Sequence, residues 1–445
     1  MRGECAVVLG ASMAGLLAAR VLADFFDTVL VVERDELPLT VCNRRGVPQG
    51  RHVHVLWARG CSIIEGLFPG FLDGLLRAGA PHFDGDLSRV YLNPGGRPLP
   101  QLGKFDDFRF VMPSRPLLEN HVRQHVTSIT NVEIRDGHDV VELITTHDGV
   151  SGAIICARND GIEHTVEADL VVDATGRGGR TPAILENLGY GRPAEDSLDI
   201  RLMYSSLPVR LPSALKELAV VIGPVPGRPT AMALLANEND TSMFSVSGLA
   251  GVEPPTGGLS EMVTFIRDFT PRHVVAAIQA SEVVGDGAQH RMPATRWRRY
   301  DKMKRWPAGL LVIGDAVCSF NPIYAQGMTV AALEAELLQQ CLRQGPDQLQ
   351  RRYFRAAAKP IGNAWQLATG ADLSLPEIDG PRPLSVRIAN QYVNHLQAAA
   401  SSNALVAQRF TRVMGMIDAP SRLLRPEVAA RVAAASFTRR RPAAI

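Results

Sequence analysis

Three short segments of this chain put small or acidic residues at the point where an apolar run gives way to a helical pattern, a place where a protein can grip a phosphate or a sugar hydroxyl. The first is GASMAG, residues 10–15, directly after the apolar run Cys5–Leu9. At such a turn free backbone N–H groups meet the positive end of a helix dipole, which suits the pyrophosphate of a dinucleotide. Gly10 makes the tight turn and Gly15 lets the helix lie close on the strand. Met13 and Ala14 lie between them, and Ser12 stands where the dinucleotide fingerprint usually has its second glycine. Serine is small enough to admit the phosphate and adds a hydroxyl donor. Glu33 ends the next apolar run, Val29–Val32, with Arg34 beside it, at roughly the twenty-residue spacing from which a carboxylate reaches ribose hydroxyls.

The second segment, ADLVVDATGRGG, sets Asp173 and Gly176 at another apolar run's end. The third, LLVIGDAVCSFNPIYAQGM, sets Gly314 and Asp315 at a strand end, Pro322 in a stiffened approach, and Gly327 and Met328 at the start of a long helical pattern. Asp315 can accept from a polyol hydroxyl, and the helix start favours negative charge on a ligand ring.

These turns need strands and helices to position them. Cys5–Leu9, the helical spacing of Leu16, Leu17, Val21 and Leu22, and Val29–Val32 predict one βαβ unit with a buried parallel pair. The stretch NRRGVPQGRHVHVLWARG predicts a functional loop, with His52 and His54 on one face of a strand and no third residue to complete a metal site. SRPLLENHVRQHV predicts a helix capped by Ser114. Strands follow around 132–134, 140–144, 152–156 and 170–172. From about 185 to 298 the alternation predicts a sheet over which a substrate lies, with one helix near 262–269. Met328–Leu342 and the remainder read as helical. The fold class is therefore α/β: a Rossmann-like domain of residues 1–80, 108–184 and 299–345, interleaved with a sheet-based domain of residues 81–107 and 185–298, and a helical region at 346–445. That last region can cap the site, form a dimer contact or complete the core.

With 445 residues, 46% hydrophobic and 21% charged, the chain has enough apolar mass for a large core and no run long enough to span a membrane. A net charge of +2 gives no basis for nucleic-acid binding, and the run Arg439–Arg441 reads as a solvated tail. Cys5, Cys42, Cys61, Cys156, Cys318 and Cys341 form no C-x-x-C pair, and no signal peptide precedes the first strand, so a cytoplasmic location is expected.

Taken together and in this order, GASMAG, DATG and GDAVCSFNPIYAQG resemble the p-hydroxybenzoate-hydroxylase-fold flavin monooxygenases over most of the chain. Within them, GVPQGRHVHVLWARG and WPAGLLVIGDAVCSFNPIYAQGM are most similar to bacterial polyether-type epoxidases, relatives of squalene epoxidase. The resemblance implies FAD held by Gly10, Ser12, Gly15, Glu33 and Asp315, with Arg115 reaching it from a neighbouring helix and Arg45 and Arg51 beside the flavin. Asn321, Tyr324 and Gln326 are candidate polar contacts at the ring. It also implies NAD(P)H as a transient reductant, since one dinucleotide motif is visible, and dioxygen as the source of an oxygen atom for an alkene of a hydrophobic polyketide or terpenoid-type natural product. A hydroxylase, a prenyl-chain reductase and a non-redox cyclase using FAD as a scaffold stay open. A flavin halogenase is disfavoured, because Trp297 and Trp306 do not form its Trp-x-Trp-x-Ile-Pro signature.

Overall fold

The computed structural model describes residues 3–147, 149–212 and 215–438, so the Arg439–Arg441 run lies outside the described residues. Four consecutive buried residues end each of the first two strands, as parallel strands covered on both faces require. These strands, β1 (Gly3–Leu9) and β2 (Phe26–Val32), flank α1 (Met13–Leu22) in the βαβ unit that the sequence predicts. A loop leads to α2 (Ala58–Leu67), α3 (Phe71–Arg77) and three short strands, β3 (His82–Phe83), β4 (Val90–Asn93) and β5 (Phe110–Val111). Helix α4 (Arg115–Thr127) begins at Ser114, whose hydroxyl accepts from the Leu117 N–H at 3.3 Å. Strands β6 (Val132–Arg135), β7 (His138–Thr145), β8 (Val150–Ala157), β9 (Glu163–Glu167) and β10 (Leu170–Asp173) precede α5 (Thr181–Asn187).

The middle of the chain supplies β11 (Glu195–Arg210), β12 (Ala219–Ile222), β13 (Thr230–Ala236) and β14 (Ser242–Gly248), then α6 (Leu259–Ile266) and α7 (Arg272–Gln279). After β15 (Glu282–Val283) and β16 (Ala288–Arg298), β17 (Leu310–Val312) and β18 (Cys318–Ser319) bracket the GDAVCS segment. The rest is helical: α8 (Gly327–Arg343), α9 (Leu349–Asp372), α10 (Leu384–Ala400), α11 (Ala404–Met414) and α12 (Pro426–Thr438).

One sheet is parallel throughout, in the order β17-β10-β1-β2-β6. Leu9 pairs with Asp173, and Asp173 with Val312. The three glycine turns far apart in sequence therefore leave neighbouring strands at one level and one edge, the carboxyl edge where ligands of open α/β sheets bind. The second sheet has eight strands along the path β18-β16-β11-β14-β13-β12-β4, with β15 on β11. Its alternation sorts two faces: Val220, Ile222, Met232, Leu234, Phe244 and Val246 join a core with α6 and α7, and the intervening residues face the other way.

Sequence and structure differ at several elements, among them α3, α5 and β5, for which the sequence pattern gives no separate expectation. Residues 52–57 form no strand, so His52 and His54 share no strand face; both rings are held individually. Strand β9 and helix α7 have no counterpart in the sequence expectations, and β16 has one only as part of the sheet expected over 185–298. Both strands carry mostly exposed or polar side chains, and β16 contains Pro293, so neither shows the alternation that marks a half-buried strand.

Candidate functional site

A cavity of about 2160 Å³ opens where the carboxyl edge of the parallel sheet meets the free face of the large sheet. That exceeds the usual drug-sized pocket and gives room for a dinucleotide with a second molecule beside it. Helices α9, α10 and α11 close one side through Thr369, Asn390, Gln397 and Phe410, so the C-terminal helices cap the cavity.

Glycine is required at the first turn for two separate reasons. Gly10 has φ +108°, and its amide donates to the Val32 carbonyl at 2.7 Å. A Cβ on Gly15 would lie 1.8 Å from the Gly10 carbonyl oxygen, so α1 presses directly on the turn. Ser12, Met13 and Ala14 line the cavity at the helix start, where the first N–H groups have no intrahelical acceptor. The Ser12 hydroxyl donates to Glu119 at 3.1 Å and accepts from Arg115 at 2.8 Å. It orders the wall instead of being offered freely to a phosphate.

Arg115 is buried at the first position of α4, lines the cavity, and also binds Glu119 at 3.0 Å. Glu33, buried at the end of β2, accepts from the Ala11 N–H at 2.8 Å and the Asp35 N–H at 3.0 Å, which ties the second strand to the first turn. Arg34 lines the cavity from its exposed rim and lies 3.6 Å from Asp139.

The loop arginine that enters the site is Arg44, which sequence reasoning missed. Its side chain is 7% exposed and contacts Glu119 at 2.6 Å, Asp35 at 3.1 Å and Glu33 at 3.3 Å. Burial opposes ionisation of Glu119, but Arg115 and Arg44 outweigh it and hold that carboxyl below its usual range. Arg45 and Arg51, by contrast, are exposed and outside the cavity lining. The loop turns on Asp35, which also accepts from the Gly46 N–H, and this draws residue 44 inward and leaves 45 outward.

Asp173 is buried too, but Thr175 donates to its carboxylate from its N–H at 2.8 Å and from its hydroxyl, and Thr181 donates a third bond. The carboxylate builds the DATG turn, with Gly176 at φ +77°, and Asp173 also lines the cavity. Arg177, two residues after the tetrapeptide's threonine, faces the cavity and is a second residue that sequence reasoning missed.

The third segment locks onto the first. A Cβ built on Gly314 would lie 2.6 Å from the Ala14 Cβ, and the Gly314 N–H donates to Glu334 of α8 at 3.0 Å. Burial pushes the Glu334 carboxyl up to about 8. Asp315 is an exposed residue of the cavity lining. Protein mass around it raises its carboxyl above the usual range, against the opposing charges of Arg177 and Arg115, and no described side chain or amide donates to it. Gly327 lies beside it, where a Cβ would be 3.9 Å from Asp315 Oδ1. Pro322, Gly327 and Met328 line the same wall. Asn321 and Tyr324 each donate to Asp372 at 2.8 Å, and the Gln326 side-chain oxygen is buried in the wall with no protein donor.

These features fit a dinucleotide carrying a polar ring. Two acceptors, Asp315 and Gln326 Oε1, lack donors beside a helix start, a glycine turn is too tight for any side chain, and two buried arginines stand near that turn.

The comparisons with known proteins agree. The FAD binding domain family matches residues 108–353. The chain is 38% identical over 432 residues to Protein Rv3254 of Mycobacterium tuberculosis (strain ATCC 25618 / H37Rv), covering 93% of this chain and 90% of that protein. It is 26% identical over 441 residues to a kynurenine 3-monooxygenase of Salinispora tropica, covering 94% of this chain and 88% of that one. Among solved structures, the flavin-dependent brominase Bmp2 superposes with a TM-score of 0.67 at 16% identity, over 99% of this chain and 100% of that one, a likeness of fold alone. No described helix is long and apolar enough to cross a membrane. The chain therefore belongs to the FAD binding domain family, with the fold of flavin-dependent hydroxylases, halogenases and monooxygenases, and its cofactor is FAD.

Proposed function

We propose that the protein is an FAD-dependent monooxygenase that takes two electrons from NAD(P)H and transfers one atom of dioxygen to an electron-rich alkene of an apolar polyketide or terpenoid-type molecule, giving an epoxide, while the second oxygen atom leaves as water. The observation that carries this reading is the shared cavity: the three cofactor turns and the free face of the large sheet line one space. FAD, when bound, supplies the activation of dioxygen.

The chain's own residues bind, orient and exclude water. In this reading residues 1–80, 108–184 and 299–345 hold FAD, residues 81–107 and 185–298 shape the substrate space, and residues 346–445 close it. Gly10 to Gly15 and Arg115 take the pyrophosphate, Glu33 and Arg34 the adenosine ribose, Asp315 the ribityl chain, and Pro322 to Met328 the ring. Val55, Leu235, Met292, Ile323 and Phe410 give the cavity apolar walls that keep water from the reacting atoms. Epoxidation removes no proton from carbon, so this reading requires no nucleophile–base pair. Among the described residues the parallel sheet carries one dinucleotide turn, which suits a nicotinamide donor that visits and leaves.

The likeness to kynurenine 3-monooxygenases favours ring hydroxylation as a second reading, which uses the same oxygen transfer and yields a phenol in place of an epoxide. The test is to reduce the purified flavoprotein anaerobically with NADH or NADPH, admit isotopically labelled dioxygen with a panel of polyunsaturated polyketides and terpenoids, and analyse products by mass. One labelled oxygen per product is the expected result. Reduced product without label would overturn it in favour of a reductase, and turnover without NAD(P)H on permanently oxidised FAD in favour of a cyclase.

A further inference from the structure

Between β18 and α8 the chain adopts a conformation that needs outside support. Ala325 has φ +52°, in the left-handed region where a Cβ is disfavoured. A residue other than glycine stays there only when its surroundings fix it. Its neighbour Tyr324 is held at two points: the carbonyl accepts from the Trp57 indole N–H at 3.2 Å, and the hydroxyl donates to Asp372 at 2.8 Å. Upstream, the fully buried Asn321 donates to the same Asp372 oxygen at 2.8 Å and accepts from the Ile323 N–H at 3.2 Å. Two side chains of residues 321–326 are thus tied to one carboxyl.

Asp372 ends α9, a helix of the cap, and is completely buried. Both donors meet its Oδ1, while Oδ2 is buried without a hydrogen-bond partner. The residues after it, Leu373, Leu375 and Ile378, join an apolar cluster with Leu198, Ile200, Leu202 and Tyr204 of β11. Arg382, in the turn beyond, directs its guanidinium to the carbonyls of Leu373, Leu375 and Ile378. The titratable group that touches the carboxyl is therefore the Tyr324 phenol, and among the described residues no cation acts on it.

Three effects favour the neutral acid there. Burial pushes the carboxyl up to about 7, against the two hydrogen bonds that favour its anion. The helix dipole disfavours negative charge at the end of α9. A buried Oδ2 without a partner is also harder to accommodate as half of an anion than as the O–H of an acid.

We propose that Asp372 is a positioning residue for FAD: from the end of α9 it holds residues 321–326 in the shape that meets the flavin ring. The neutral acid is sufficient, because both hydrogen bonds use lone pairs of Oδ1. Asn321 and Tyr324 direct their donors to Asp372, which leaves the backbone between Pro322 and Gly327 and the Gln326 side-chain oxygen for the ring. The inference rests on the assignment of Pro322 to Met328 to that ring. Covering this wall with FAD shuts out water and brings phosphate charge into the same cavity, and both favour the proton on Asp372. By linkage, affinity for FAD is full below about pH 7 and falls as the pH rises above it.

The test is FAD binding to the deflavinated full chain, read by quenching of flavin fluorescence and by the oxidised-flavin spectrum, in wild type, Asp372→Asn and Asp372→Ala. Asp372→Asn keeps the acceptor and is neutral at every pH; at pH 6 it binds within about twofold of wild type with the same spectrum. Asp372→Ala leaves two donors without their acceptor, binds about tenfold or more weakly, and shifts the flavin bands. Between pH 6 and pH 9 the wild type loses about threefold or more affinity beyond any loss in Asp372→Asn. Should Asp372→Ala fail to fold, Tyr324→Phe, which removes one of the two donors, takes its place with a smaller loss and a shift of the same bands. Wild-type affinity and spectrum in that variant overturn the positioning role. Coincident pH curves for wild type and Asp372→Asn, or a tenfold loss in Asp372→Asn at pH 6, overturn the neutral acid. If the wild type itself does not bind FAD, the cofactor assignment fails and not this inference alone.

Discussion

The two sheets meet at one cavity but contribute to it in opposite ways. At the edge of the parallel sheet, charged residues are buried and tied to one another: Arg44 joins Glu33, Asp35 and Glu119, and Arg115 joins Glu119 and Ser12. On the large sheet the face toward the cavity is mostly uncharged, with Ala231, Ala233, Ser245 and Ser247 in its lining. In the proposed reading the edge of the parallel sheet holds the cofactor, a ligand that stays from one turnover to the next, and a tied network suits it. The cavity face of the large sheet, which meets substrate in the proposed reading, carries no such buried ion-pair network among the described residues, so substitutions there are expected to change a pocket's shape without breaking a buried ion pair.

That contrast ranks the expected effects of mutation. Arg44→Ala strips one guanidinium from three carboxylates and is expected to lose about 3–5 kcal/mol in urea unfolding. A loss under 1 kcal/mol would show that the network is slack. Next is the pH response of Glu334, whose folded value of about 8 stands above the ordinary 4.5 because burial favours the neutral acid. Its contribution to stability is present in full below about pH 4.5 and is lost as the pH rises through about 8. In Glu334→Gln the stability–pH curve should flatten over that window, by an amount on the order of a few kcal/mol. An unchanged curve would mean that the carboxyl ionises freely.

Asp315→Ala is expected to weaken FAD binding by about 1.5–3 kcal/mol, so that the protein purifies pale or colourless; a fully yellow variant would remove Asp315 from the site. At the small end, Arg45→Ala and Arg51→Ala should stay within about 0.5 kcal/mol of wild type in unfolding and keep their flavin. A colourless Arg45→Ala protein would mean that the exposed loop closes over the cofactor.

The same contrast explains what the sequence disclosed. GASMAG and GDAVCSFNPIYAQG were legible because tight turns restrict residue type at the backbone: Gly10 needs its positive φ, and Gly15 has no space for a side chain. Arg44 was not legible, since spacing cannot tell which of two adjacent arginines a loop turns inward; the Asp35 contacts decide that. Asp173 reads from the sequence as an acid at a strand end facing a ligand, and the structure adds its part in the turn while keeping it in the cavity lining. Thr175 and Thr181, two and eight residues further on, were visible as its donors and could have identified it as a turn builder. The alternation in SMFSVSG was present too, but serines on a strand ordinarily mark the solvent face, and only the pairing of β14 with β11 and β13 shows that they border a cavity.

The most direct test of this division of labour is equilibrium binding of FAD to the deflavinated protein, compared among wild type, Asp315→Ala and Ser245→Ala. The account expects one FAD per chain, about tenfold or more weaker binding in Asp315→Ala, and unchanged binding in Ser245→Ala. Equal loss in both variants, or no loss in either, would contradict it.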